Sequence, residues 1–199
     1  MIAKYKVDVM GILETRVREE NLKEIWPKIQ LHQWSMELNY SMSAQGRIWI
    51  VYNTEQIKLQ VLERNLQFIH CKITGENEIF FWTCVYGSYN PVIRREMCRD
   101  LARIGNNLRA PWLIQGDFNV INCNEDRIGG NSINEEAVAD FQNWILGVNL
   151  VEVQSCGPKF TWTNFQEGEH RIYKKLDWSF ANPLFYLRKD EPACAVLNC

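Results

Sequence analysis

The stretch WLIQGDFNVI, from Trp112 to Ile121, places an acid and an amide directly after an apolar run and a glycine. Residues 112–116 have the length and composition of a buried strand. Because side chains alternate along an extended chain, Asp117 and Asn119 are expected to lie on the same face at the end of that strand. A strand end held by a packed sheet can aim polar side chains in a fixed direction, which a binding or catalytic site requires.

The segments on either side of this strand alternate between strand and helix patterns. Residues 7–13 form a short apolar run that predicts a strand ending at Glu14, and residues 17–30 predict a helix that Pro27 ends or kinks. A single α/β domain (α+β) with largely antiparallel or mixed sheets is therefore expected over residues 1–199. The other predicted strands are 46–53, 57–65, 68–74, 79–87, 160–164 and 174–182, with a hairpin turn at 74–78 and helices at 94–107 and 135–146.

The composition limits the classes of function. With 46% hydrophobic residues among 199, the chain can bury a substantial core, and its net charge of -2 gives no overall attraction to nucleic acid, so contacts with phosphate must be local. The seven cysteines lack the spacing of a disulfide framework or a zinc site. No signal peptide and no apolar window of about 20 residues is found. A soluble, intracellular protein of the nucleus or cytoplasm, without a membrane partner, is expected.

Five polar residues, each at the end of a hydrophobic strand, make a chemically coherent set. A carboxylate such as Glu14 is a hard oxygen ligand that suits Mg²⁺, or Mn²⁺ in its place. Asp117 can orient or deprotonate a water molecule, and Asn119 and Tyr86 can donate hydrogen bonds to a phosphate oxygen. With Asp177, which follows Leu176, these residues indicate a site for metal-assisted phosphodiester hydrolysis.

Each of these residues also has a plain structural interpretation. An aspartate after a glycine is ordinarily a turn or cap residue, and a lone glutamate at a strand end is usually a solvated charge. The three histidines, His32, His70 and His170, are expected to be surface or satisfied structural residues. Taken together and in chain order, the five strand-end residues favour the functional interpretation.

Several ordered motifs resemble the endonuclease/exonuclease/phosphatase superfamily. They are ILET (12–15), VYGSYNP (85–91), WLIQGDFN (112–119), GPKFTWTN (157–164) and KLDWSFAN (175–182), and with GRIWIVYN (46–53) they are most similar to the endonuclease domain of plant non-LTR (LINE-type) retrotransposons. The resemblance runs from about residue 7 to about residue 185. It implies a deoxyribonuclease I-like, two-sheet β-sandwich flanked by helices, with a Mg²⁺-dependent site at one edge. It also implies DNA as the ancestral substrate, nicked to leave a 3′-hydroxyl, and no specific protein partner.

The resemblance implies a role for each matching residue. Glu14 matches the glutamate that binds the metal, and Asp117 matches the aspartate that positions the nucleophilic water. Asn119 matches the asparagine that holds the scissile phosphate. Tyr86 lies where the superfamily often has a phosphate-contacting tyrosine, and Asn90 follows it in a loop that is expected near the substrate.

Two motifs of the superfamily are not found. The residues before Glu14 include no asparagine, where the superfamily has a strand bearing one, and no Ser-Asp-His motif occurs. Asp177 matches the aspartate that orients the histidine of that motif, so it has no such histidine to orient. The 199 residues are therefore expected to be a partial domain, incomplete at both termini, whose activity is weak or absent because such catalytic groups act as a unit.

Three alternatives to a DNA-nicking enzyme remain open. The chain fits a non-catalytic remnant of a mobile element, and the same site fits a phosphatase acting on a non-nucleic-acid phosphoester. A non-catalytic DNA-binding module would use the basic residues of one predicted helix and its surroundings, although those in the helix are also expected as its solvated side. These are Arg94, Arg95, Arg99 and Arg103, with Arg109 beyond its end.

Overall fold

The apolar runs form sheets, and the contacts within the chain divide it into two compact units. The first unit ends at Tyr86 and the second begins at Gly87. The structure, a computed structural model, describes residues 7–29, 31–42, 46–188 and 194–195. It is mixed α/β with two main sheets flanked by helices, which confirms the predicted fold class. That the 199 residues are one partial domain stays a prediction.

The first unit is built from antiparallel strands. The strand β3 lies between β1 and β2, and β5 lies between β4 and β6. The predicted runs after residue 46 are confirmed, and the turn before β6 closes with a 2.9 Å hydrogen bond from Gly75 N to Glu78 O. The bounds are β1 (Val9–Leu13), β2 (Trp34–Leu38), β3 (Ile48–Asn53), β4 (Lys58–Arg64), β5 (Phe68–Thr74) and β6 (Ile79–Tyr86).

Both faces of the β1–β3 sheet are packed within this unit. On one face, β1 approaches β6 so closely that a Cβ at Gly11 would lie 2.5 Å from Cys84 Sγ. On the other face, Trp49 and Val51 form a buried cluster with Tyr40, to which the segment after β1 adds apolar side chains. Burying each large apolar side chain contributes about 1.5–3 kcal/mol, so this packing fixes the end of β1.

The segment predicted as one helix over 17–30 consists of three short helical pieces. An α-helical turn, α1 (Leu22–Ile25), lies between 3-10 turns at Glu19–Asn21 and Trp26–Ile29. The break falls at Pro27, whose ring excludes a regular helix and whose nitrogen cannot donate a hydrogen bond. No side chain caps the start of α1, so little besides packing stabilises it.

The second unit has a three-stranded antiparallel sheet in which β13 lies between β7 and β9. A smaller sheet has β12 between β11 and β8, and β10 pairs in parallel with β14. The bounds are α2 (Pro91–Asn107), β7 (Trp112–Asp117), β8 (Arg127–Ile128), α3 (Glu135–Gly147), β9 (Val151–Glu152), β10 (Ser155–Cys156), β11 (Trp162–Thr163), β12 (Tyr173–Lys174), β13 (Asp177–Ala181), α4 (Pro183–Tyr186) and β14 (Cys194–Ala195), with 3-10 turns at Asn124–Asp126 and Gly168–His170.

An aromatic cluster forms the core of this unit. Phe118, which is fully buried, lies 5.3–5.7 Å by ring centroids from Phe141 and Trp144 of α3 and from Phe180 of β13. Trp178 stacks on Phe180 at 5.9 Å. Phe118, which lies between Asp117 and Asn119, thus anchors this part of the chain in the core.

The helix α2 begins at Pro91, three residues earlier than predicted. Asn90 is its N-cap, because its side-chain Oδ1 accepts a 2.9 Å hydrogen bond from Val92 N, and proline suits the first helical position. The predicted apolar face of Met97, Leu101 and Ile104 is buried, as expected. None of the helices in the described ranges is long and apolar enough to cross a membrane.

The prediction that the arginines of α2 form its solvated side is wrong for Arg94. Arg94 is only 6% exposed. Arg95 forms ion pairs with Glu136 and Asp140 of α3 and therefore joins the two helices. A helix packed on a second helix and on a loop has a narrower solvated side than the sequence pattern suggests, and Arg99 and Arg103 do lie on it.

Candidate functional site

The end of β1 holds Glu14 in a rare backbone conformation. Its φ of +52° lies in the left-handed region, which costs a residue other than glycine about 1–2 kcal/mol. Glu14 N donates to Arg47 O at 2.9 Å, and the Thr15 hydroxyl donates to Gly46 O at 2.9 Å. These hydrogen bonds hold the strained residue, and strain of this kind is common at functional sites.

Glu14 and Tyr86, both predicted site residues of the first unit, are in contact. The Tyr86 hydroxyl donates a 2.6 Å hydrogen bond to Glu14 Oε1, and Arg47 Nη1 donates to the same hydroxyl at 3.1 Å. Burial, followed by the hydrogen bond to Glu14, raises the pKa of Tyr86 to about 12. The phenol therefore stays protonated at neutral pH and remains a hydrogen-bond donor. The sequence did not indicate Arg47, which lies 33 residues from Glu14.

The raised pKa of Tyr86 predicts a stability change at alkaline pH. Since this pKa lies above the ordinary value of 10, the neutral phenol favours folding below pH 10, and that contribution is lost as the pH rises towards 12. Between pH 10 and 12, the free energy of unfolding of Tyr86→Phe should thus fall less than that of the wild type. Urea denaturation across this interval measures the difference. Equal pH dependence of the two proteins, or a phenolate absorbance of Tyr86 that appears near pH 10, would contradict it.

The Glu14 carboxylate fits a divalent cation that keeps most of its water. Its side chain is 47% exposed, so a cation can reach the carboxylate from solvent, and the Arg16 guanidinium, with Nη2 3.7 Å from Oε2, would have to give way to it. Mg²⁺ prefers such hard oxygen ligands and is often held by only one or two carboxylates. Within the described residues, no group of three or more His, Cys, Asp or Glu side chains is arranged to hold a metal.

In the second unit, Asp117 and Asn119 face one another across a tight turn. The prediction of an extended chain through both residues is wrong, because β7 ends at Asp117 and Asn119 has a φ of +51°. Asp117 Oδ1 accepts a 2.7 Å hydrogen bond from Asn119 N, as in an Asx turn. Asparagine adopts the left-handed region more readily than most residues, so the sequence suits this turn.

The amide group of Asn119 is already engaged inside the unit. Its Nδ2 donates to Gly87 O at 2.8 Å and to Asp117 Oδ2 at 3.2 Å. Both amide hydrogens therefore have acceptors. If this amide holds a phosphate oxygen, the longer of the two bonds is the one expected to give way.

Asp177 lies directly opposite Asp117 on the neighbouring strand. The two residues are cross-strand partners in the β7–β13 pair, and Phe118 N donates to Leu176 O at 2.9 Å beside them. This pattern makes them a non-hydrogen-bonded pair, in which side chains project to the same face with Cβ atoms about 4.5–5.5 Å apart. Two ionised acids so placed repel each other.

Thr161 and Trp178, which belong to two of the predicted motifs, form hydrogen bonds to the backbone beside this turn and at Asp177. Thr161 Oγ1 accepts hydrogen bonds from Leu176 N and Asp177 N at 3.0 and 3.1 Å, which fixes the start of β13 and separates it from β12. The predicted strand over 174–182 is consequently divided. The Trp178 indole donates to Val120 O at 2.9 Å. Both contacts join residues at least 15 positions apart, so no local pattern indicates them.

Gly87 permits the turn to pack against the preceding loop. Gly87 N donates to Asp117 O at 2.7 Å, and a Cβ at Gly87 would lie 2.8 Å from Phe118 O. We expect Gly87→Ala to lower the free energy of unfolding by about 1–3 kcal/mol, because the obstructing atoms are backbone and cannot rotate away. Gly147→Ala, where a Cβ meets nothing within 4 Å, is the matched control and should change stability by less than about 1 kcal/mol. Urea denaturation of both variants decides the point, and equal stabilities would refute the steric argument.

Of the remaining predicted residues, Asn90 and His70 have structural partners. Asn90 caps α2, and its place near a substrate stays a prediction. His70 is 4% exposed, and its Nδ1 lies 2.8 Å from the Thr83 hydroxyl, which confirms it as a satisfied structural histidine. His32 and His170 are exposed.

Comparison with known proteins identifies the fold. The sequence matches no protein-family model and none of the curated proteins. Among solved structures, the chain is similar to the endonuclease domain of TRAS1, a telomere-specific non-LTR retrotransposon, with a TM-score of 0.68 and 11% identity over 92% of this chain and 76% of that one. It is also similar to the 3′ phosphatase NExo from Neisseria (TM-score 0.63, 12% identity, 92% and 79% covered) and to humanized D. rerio TDP2 (0.60, 11%, 96% and 74%).

The chain has the deoxyribonuclease I-like fold of the endonuclease/exonuclease/phosphatase superfamily, as the motifs predicted. Of the three structures, the TRAS1 domain is an endonuclease of a non-LTR retrotransposon, the group to which the motifs are most similar. Identities of 11–12% establish the fold alone, so the chemistry has to be argued from the side chains.

Proposed function

We propose that this chain is a metal-dependent phosphodiesterase of the endonuclease type that nicks DNA. The observation that carries the proposal is the Asp117–Asn119 turn with Asp177 opposite it. Like charges directly opposite one another across a strand pair are destabilising. An arrangement of side chains that lowers the stability of the fold is a candidate for a catalytic or binding role.

Asp117 would orient the attacking water and accept its proton. The water oxygen then forms a bond to phosphorus, and the bond from phosphorus to the 3′ oxygen of the strand breaks. The leaving oxygen takes up a proton and becomes a 3′-hydroxyl, while the phosphate stays on the 5′ end of the other fragment. Asn119 would hold a non-bridging phosphate oxygen through its amide, releasing its 3.2 Å contact with Asp117.

In the first unit, Glu14 and Tyr86 have side chains suited to binding a cation and a phosphate oxygen, respectively. Glu14 supplies a carboxylate for Mg²⁺, or Mn²⁺ in its place, and a bound cation would supply Lewis-acid stabilisation of charge on the phosphate. Tyr86 is protonated at neutral pH and can donate to a phosphate oxygen. The resemblance implies that Asp177 orients a histidine of the Ser-Asp-His motif, which does not occur in the 199 residues, so no catalytic step is assigned to Asp177.

We further propose that the 199 residues alone react slowly. No Ser-Asp-His motif occurs in them, so the leaving oxygen has to take its proton from solvent. General acid catalysis commonly contributes about 10²–10⁴-fold, and a comparable deficit is expected here. Free imidazole should then raise the nicking rate of the wild-type chain, whereas Asp117→Ala should not respond to it.

A plasmid-nicking assay tests the proposed function. The wild-type chain should nick supercoiled DNA slowly in Mg²⁺ and not at all after the metal is chelated. At limiting Mg²⁺, Glu14→Gln should nick the DNA more slowly than the wild type. Glu55→Gln, which changes an exposed glutamate after β3, is the control and should nick at the wild-type rate. Indistinguishable nicking by the wild type and Asp117→Ala would refute the proposal.

The second candidate is a phosphatase. The similar structures include a 3′ phosphatase and ANGEL2, a 2′,3′-cyclic phosphatase, so the fold accommodates terminal as well as internal phosphoesters. Profiling with an internal phosphodiester, a 3′-phosphorylated oligonucleotide and a soluble sugar phosphate separates the two. Faster release of inorganic phosphate than of nicked DNA would favour the phosphatase.

A non-catalytic DNA-binding module gains little support from the basic residues of α2 and of the segment after it. Arg95 is paired with acids, and Arg109 Nη1 donates to the carbonyl oxygens of Asn106 and Leu108. Arg103 lies 3.7 Å from Asp100. DNA affinity that falls steeply with salt would be required to restore this alternative.

A further inference from the structure

Arg94 occupies an unusual position for a charged residue. It lies in the first turn of α2 and is 6% exposed, whereas Arg99 and Arg103 on the same helix are exposed. Burial lowers the pKa of its guanidinium, and the nearby Cys98, Asp140 and Asp117 partly oppose that effect. A buried charge is expensive, and an apolar side chain of similar size would often pack there at no loss of stability. The charge therefore calls for an explanation other than helix packing.

The guanidinium joins the two segments that form the proposed site of the second unit. Arg94 Nη1 donates to Ser88 O at 2.8 Å and to Asn119 O at 3.2 Å. Ser88 belongs to the loop after Gly87, and Asn119 ends the turn that begins at Asp117. These segments are otherwise joined by the bond from Gly87 N to Asp117 O and by the amide of Asn119.

The amide contact is the one that substrate binding would disturb. If Asn119 turns its amide towards a phosphate, the bond from Nδ2 to Gly87 O is also at risk, because both bonds use the same group. The bonds from Arg94 go to carbonyl oxygens of the main chain and do not involve the Asn119 side chain. They can therefore hold the left-handed backbone of Asn119 while its side chain moves.

We propose that Arg94 is a positioning residue that keeps the Asp117–Asn119 turn in its reactive backbone conformation, an inference that rests on the proposed function. Arg94 touches no reacting atom. It acts through the carbonyl groups of Ser88 and Asn119, and its charge strengthens both hydrogen bonds beyond those of a neutral donor. The ligand class is that of the proposed site, a phosphodiester anion.

Hydrogen exchange on the 199-residue chain tests this inference without requiring activity. In Arg94→Met, which keeps an unbranched apolar stem but removes the guanidinium and its donors, exchange of the Asn119 backbone N–H should accelerate about tenfold relative to that of Ile114 within β7. Arg94→Lys, which keeps the charge, should give a smaller change. Arg99→Met makes the same chemical change at an exposed position of α2 and should leave both rates as in the wild type.

Three results would overturn the inference: unchanged Asn119 exchange in Arg94→Met, equal acceleration at Asn119 and Ile114, and equal effects of Arg94→Lys and Arg94→Met. The second of these would mean a general loss of stability. In the nicking assay, Arg94→Met should lower kcat and leave KM near its wild-type value, because the turn and not substrate contact is affected. If the wild type does not nick DNA, the proposed function fails, and the exchange rates still decide the role of Arg94.

Discussion

Replacement of Asp117 by asparagine is expected to lower the rate of phosphodiester cleavage by about 10²–10⁴-fold with little change in stability. Asparagine cannot accept the proton of the attacking water, but its side-chain oxygen still accepts the hydrogen bond from Asn119 N. Relief of the repulsion with Asp177 and loss of the 3.2 Å bond from Asn119 Nδ2 each amount to about 1 kcal/mol and oppose each other. Initial nicking rates in saturating Mg²⁺ measure the loss of activity, and urea denaturation measures the change in stability.

Asp177→Asn is the matched control for that variant. It removes the same charge from the same strand pair, but it leaves the proposed base in place. Because the chain has no Ser-Asp-His motif, Asp177 has no such histidine to orient, and the loss of activity should be smaller than in Asp117→Asn. Equal losses in the two variants would contradict the assignment of the base to Asp117.

Phe118→Ala is expected to have the largest effect on stability, a loss of about 3–5 kcal/mol in the free energy of unfolding. The ring is fully buried among Phe141, Trp144 and Phe180, so its removal leaves a cavity in the core of the second unit. Urea denaturation measures the loss. Because Phe118 anchors the chain between Asp117 and Asn119, activity should fall by more than the unfolded fraction explains.

Phe165→Ala provides the comparison, since this side chain is 84% exposed and its removal should change stability by less than about 0.5 kcal/mol. A small effect of Phe118→Ala would mean that the aromatic cluster does not hold the turn. An activity loss no larger than the unfolded fraction would mean that the anchor serves the fold alone.

The local parts of the site could be predicted from the sequence. WLIQG followed by Asp117 indicates a strand end, and β-rich runs separated by polar or turn-forming residues located the strands from residue 46 to residue 87. Glu14 and Tyr86 were expected at strand ends, and they lie there. Such features depend on neighbouring residues, whose period and turn chemistry are visible in the chain.

The contacts that orient these residues could not be predicted in the same way. Thr161 binds the backbone of Leu176 and Asp177, and Arg47 binds Tyr86, but nothing in the local pattern pairs residues so far apart. Arg94 was misjudged because a polar residue on an amphipathic helix is usually solvated. A polar helix residue can instead be buried when it donates to loop carbonyl oxygens, as Arg94 does to Ser88 O and Asn119 O. Such a contact can be seen only in the folded chain.

The start of α2 shows a signal that was present but not used. Asn90 followed by Pro91 is a common beginning for a helix, because asparagine caps the free N–H groups and proline has none to cap. The Asp117–Asn119 turn is similar. Asparagine tolerates positive φ, so an extended chain through Asn119 was the less suitable expectation.

The hydrogen bond from the Trp178 indole to Val120 O gives the second unit an internal probe for ligands. Its indole proton lies next to the residue that follows Asn119, and its NMR signal falls in a region with few backbone amides. Trp178→Phe assigns the signal by deleting it. Adding oligonucleotides, mononucleotides or inorganic phosphate and following that one resonance would rank candidate substrates by affinity, even for a chain that turns none of them over.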